Sequence, residues 1–94
     1  MTPERANAYG RVIKALSDLG PTKLHDDEQQ VIRDAADALL FEESARGLAP
    51  ARAALAEARE LTSRLVESDR LLAETAERLL HDLTDCGQAH LVAA

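Results

Sequence analysis

Ninety-four residues with 11 basic against 17 acidic side chains make one small, acidic domain. Leu, Ile, Val and Phe number only 22, beside 18 alanines, so the core is thin and modest stability is expected, with a second copy as one means of completing it. One cysteine, Cys86, excludes an internal disulfide and every multi-cysteine metal motif.

The first helix is predicted over 3–19. Thr2 suits the N-cap, Pro3 the first helical position and Glu4 the first turn, where a negative charge meets free N–H groups. Tyr9, Val12, Ile13, Leu16 and Leu19 recur at three- and four-residue steps and mark its buried face. Gly20-Pro21 is a strong stop. Gly10 marks either a close helix contact or simple tolerance.

The second helix is predicted over 26–45, with Asp26 and Gln29 spaced as a capping box and Leu24 as its apolar staple. Val31, Ile32, Ala35, Ala36, Leu39 and Leu40 form its inner face, and Gly47 to Pro50 connect onward. The third, over 50–66, buries Ala51, Ala54, Leu55, Ala58, Leu61, Thr62 and Leu65. Ser68-Asp69 suits a helix boundary but contains neither Pro nor Gly, so a single helix from 50 to 85 is the rival reading. The fourth, over 70–85, buries Leu72, Ala76, Leu79, Leu80 and Leu83, and Gly87 closes it. Pairs Arg33/Asp37, Glu60/Arg64, Glu74/Arg78 and Arg78/Asp82 are spaced to decorate the outer sides. The expected fold is an all-α, four-helix antiparallel bundle over 1–87, with 88–94 a flexible tail.

Charge is unevenly placed. Residues 1–23 carry net +2, whereas 24–43 hold seven acids against Arg33 alone. That body repels phosphate backbones, which leaves nucleic acid only a weak contact on the first helix through Arg11 and Lys14. No apolar run has signal-peptide or membrane-span character, so the expectation is a cytoplasmic protein. Nine arginines to two lysines, with abundant alanine, is the usage of a GC-rich bacterial genome.

Metal chemistry has one candidate grouping, His81, Cys86 and His90, with Asp85 beside His81. About 100° of helix rotation separates Asp85 from Cys86, and Gly87 interrupts the helix before His90, so a solvated His81/Asp85 pair and a half-buried thiol are the plainer reading. The His25-Asp26-Asp27-Glu28 cluster reads as helix capping rather than as ligands. Acyl carrier proteins are also small, acidic and four-helical, but they carry their arm on the Ser of an Asp-Ser-Leu motif opening the second helix; here that helix opens His25-Asp26-Asp27, and no function is carried over. Nucleophile triads and phosphate loops are absent, no cofactor is implied, and the inner faces offer few polar groups beyond Thr62.

Phe41 does not fit its wheel. With Ile32 inward it points outward beside Asp34 and Asp37, close in sequence to Glu42, as an anchor for a basic, partly apolar partner would. The competing expectation is burial through deformation of the last turn, because a thin core seldom leaves its one Phe in water. The function expected is a non-catalytic interaction or regulatory module acting on a protein partner or on a second copy of itself; small-ligand or metal binding through His81, Cys86 and His90 is the alternative.

Overall fold

The computed structural model describes residues 3–41 and 48–87. They form four helices and no strand: α1 (Pro3–Lys23), α2 (Asp26–Phe41), α3 (Leu48–Glu67) and α4 (Ala73–Cys86). Successive helices lie side by side in an antiparallel bundle. The broadest interfaces are α1 on α4 and α2 on α3, while α2 also meets α4 across the middle. Residues 1–2, 42–47 and 88–94 lie outside the described residues, and with them the expected Thr2 cap, the expected second-helix segment after Phe41 and the expected tail.

The Gly20 stop is real, although helical turns resume beyond it through Lys23. Gly20 has φ 68° and ψ 179°, a region essentially closed to residues with a Cβ, and the chain swings there before the Leu24 amide bonds back to the Gly20 carbonyl at 3.1 Å. That swing delivers Leu24 fully buried into the core. Gly10 contacts nothing that a Cβ would meet, so tolerance rather than close packing explains it.

The capping box of α2 sits one residue earlier than Asp26/Gln29. Glu28 Oε1 accepts the His25 amide at 2.8 Å, and the Gln29 side chain donates to the Leu24 carbonyl at 3.0 Å. The third helix starts two residues earlier than expected and absorbs Leu48-Ala49-Pro50 as its first turn, where Pro removes no hydrogen bond that the helix would make.

The one-long-helix reading is overturned. Asp69 adopts φ 61°, the Arg70 amide bonds to the Leu65 carbonyl at 2.9 Å and the Asp69 amide to the Val66 carbonyl at 3.1 Å, which is a Schellman termination. A second correction follows from that corner. Leu71, not Leu72, turns inward, because α4 proper begins only at Ala73 and the turn reverses the pair. Leu72 is 74% exposed.

The inner faces predicted for α2 and α3 hold, with Val31 and Ala54 at the margin. Ala35, Ala36, Ala51 and Ala58 keep those faces shallow, so the two helices can approach closely. On α1 the face is rotated. Arg5, Ala8, Val12 and Leu16 are buried, while Tyr9 and Leu19 pack only partly. On α4 the face is Ala76, Leu79, Leu83 and Cys86, joined by Asp82, with Leu80 partly covered.

Candidate functional site

Among the described residues three polar side chains are buried, where the sequence offers Thr62 as the main one: Arg5, Thr62 and Asp82. Each is committed. Thr62 Oγ1 donates to the Arg59 carbonyl of its own helix at 2.9 Å. Asp82 accepts Arg11 Nε at 2.9 Å. Arg5 donates through Nε to the Cys86 carbonyl at 2.8 Å and through Nη2 to the carbonyls of Leu39 at 2.9 Å and Leu40 at 2.7 Å. It therefore satisfies carbonyls in the last turns of both α2 and α4 and places a cation at two negative dipole ends. No buried side-chain nitrogen or oxygen among the described residues lacks a partner.

At the opposite end Arg70, on the corner before α4, grips Glu28 through two hydrogen bonds of 2.9 and 2.6 Å and reaches the Lys23 carbonyl at 3.2 Å. Arg70 holds the Glu28 carboxyl below its ordinary 4.5; burial opposes this and the His25 amide assists it. One arginine thus ties together the end of α1, the start of α2 and the α3–α4 corner.

Arg11 and Lys14 of the first helix are answered within the molecule. Besides Asp82, Arg11 reaches Asp85 at 3.7 Å, and Lys14 pairs with Asp18 at 3.0 Å. With Arg5 turned inward, the first helix presents less positive charge to a phosphate backbone than its composition implies. Of the helical pairs expected, Glu60–Arg64 forms at 3.9 Å, whereas Asp37 and Asp82 turn instead to α1.

The metal candidates are not brought together. His81 is exposed on α4, with Nε2 3.3 Å from Asp85 Oδ2. Cys86 is fully rather than half buried, and its thiol donates to the Asp82 carbonyl at 3.3 Å. Burial first, then the Asp82 charge, pushes that thiol up to about 11, so it is protonated at neutral pH and a poor metal ligand. No cluster of three potential metal ligands occurs among the described residues, and His90 lies outside them.

The partner-binding residues fare differently. Phe41 is 65% exposed, so the burial expected of it is overturned; α2 stays regular to its end and carries the ring outward. Asp34 is exposed and accepts the Gln30 amide at 2.7 Å. Asp37 accepts the Tyr9 hydroxyl at 2.6 Å, which is the main reason the phenol is raised above 10.0. Glu42 lies outside the described residues.

Arg5, Asp82 and Arg70 escaped the sequence reading for different reasons. Arg5 lies seven residues before Val12 and Asp82 three after Leu79, so both fall on apolar stripes and the wheel could have flagged them. Arg70 and Glu28 are 42 residues apart, and no local pattern links them. Among the described residues no helix is long and apolar enough to cross a membrane. No family model, curated protein or solved structure matches the chain.

Proposed function

We propose that the protein is a non-catalytic interaction module that presents the exposed end of α2 to a protein partner. The observation that carries the reading is Phe41, the one phenylalanine of the chain, 65% in solvent at the end of a regular helix. Asp34 on the same side adds negative charge, which favours a partner with basic and apolar groups together. The non-catalytic part is supported by the buried polar groups, each spent on closing helix ends or pairing helices. A cytoplasmic setting and self-association belong to the same proposal.

A photo-crosslinking residue at position 41 is expected to capture a discrete protein in cells, and Phe41→Asp to lose that protein without lowering the melting temperature. Recovery of the same partners by Phe41→Asp would sink the reading. Sedimentation showing a strict monomer at all concentrations would remove self-association.

A further inference from the structure

We infer that the seam between α3 and α4 is a second docking groove, and that its occupant is a basic amphipathic helix of a protein partner. The seam is among the narrower helix interfaces of the bundle and leaves a groove of about 300 Å³. Val66, Ala73, Ala76 and Leu80 form its apolar lining, and Glu67 and Glu77 stand along it. Neither carboxylate has a hydrogen bond or ion pair among the described residues. Ala73 to Leu80 span two helical turns, about 10 Å, which matches apolar anchors at i, i+3 or i+4, and i+7 of an incoming helix. The unpaired carboxylates ask for Lys or Arg flanking those anchors.

Leu72, which immediately precedes Ala73 in the chain, supplies an independent reason. It occupies the N-cap of α4, makes no side-chain cap hydrogen bond and is 74% exposed. Ser or Asp would suit that position better on both counts. A residue ill-suited to folding at such a place is expected where a surface serves binding. The groove lies at the Arg70 end of the bundle, away from Phe41, and stands or falls separately from the reading of that residue.

The test uses a fluorescent 18-residue helical peptide of Leu and Lys, with the same peptide carrying Glu for Lys as its counterpart, titrated at 0.3 M NaCl to screen non-specific charge attraction. The Lys peptide is expected to bind and the Glu peptide not, with amide shift changes confined to α3 and α4 around Val66, Ala73 and Leu80. Leu72→Ser is expected to weaken binding about tenfold while raising the melting temperature by about 4 °C, which separates lost contact from lost fold. Glu67→Lys with Glu77→Lys is expected to reverse the preference in favour of the Glu peptide. Unchanged binding in Leu72→Ser, no reversal in the double variant, or shift changes around Phe41 instead would each overturn the proposal. Concentration-dependent dimers abolished by Leu72→Ser would overturn it too, by showing a second copy as the occupant.

Discussion

The two ends of this bundle are each closed by an arginine, but by opposite chemistry. At one end Arg5 is buried and its charge is spread over carbonyls of two helix termini. At the other, Arg70 is a third exposed and its charge is matched by a single carboxylate, Glu28. A guanidinium taken out of water and bound to carbonyls is expensive to lose, because its removal strands acceptors that water cannot readily reach. An ion pair in partial contact with solvent is worth far less, since water replaces either partner. The Arg5 end should therefore carry stability, and the Arg70 end should carry geometry.

That contrast can be broken most directly at Arg5. Arg5→Ala is expected to cost about 3 kcal/mol in urea unfolding, with Arg5→Lys recovering only part because one ammonium cannot fork between α2 and α4. A loss no larger than that of an exposed substitution would dissolve the distinction. Next in size is Gly20→Ala, which forces a Cβ into the φ 68° swing that seats Leu24 and is expected to cost about 2 kcal/mol. This would show the Arg70 end to depend on backbone shape more than on its ion pair.

Gly10→Ala is the control that touches neither end. With open space at its Cβ, it should stabilise by about 1 kcal/mol through helix propensity alone. The smallest effect is expected from Glu28→Gln, a drop of about 2 °C in melting temperature at pH 7. Its pH dependence sharpens the comparison. The carboxyl is held below 4.5 in the folded state, so its stabilisation is complete above that value and is lost as the pH falls through the lowered one. The gap between wild type and Glu28→Gln should stay constant from pH 5 to 8 and close in acid. A gap persisting in acid would mean that the carboxylate charge is not what holds the corner.

The elements best read from sequence were those decided by periodicity alone. Along α3, leucines and alanines at regular steps define the inner face, and all of it but Ala54 is buried. The reading slipped where a polar residue shares an apolar stripe, as Arg5 and Asp82 do, because their partners lie on other helices. It slipped again at Leu71 and Leu72, where one positive-φ residue, Asp69, decides which of two adjacent leucines faces in. Phe41 is the reverse case. Its wheel position pointed outward and was correct, and the general rule that scarce aromatics are buried gave way to it.

The contact between Arg5 and Cys86 spans 81 residues of chain, and α1 finds its broadest interface on the last helix. During synthesis the first helix can therefore meet α2 early, but its broadest contact, with the Arg5–Cys86 bond in it, forms only once α4 has emerged. Long-range closure of this kind slows folding relative to a bundle built only from neighbouring helices. It also makes the bundle all-or-none: α2 and α3 can pair early, but the native domain is completed only when its first and last helices meet.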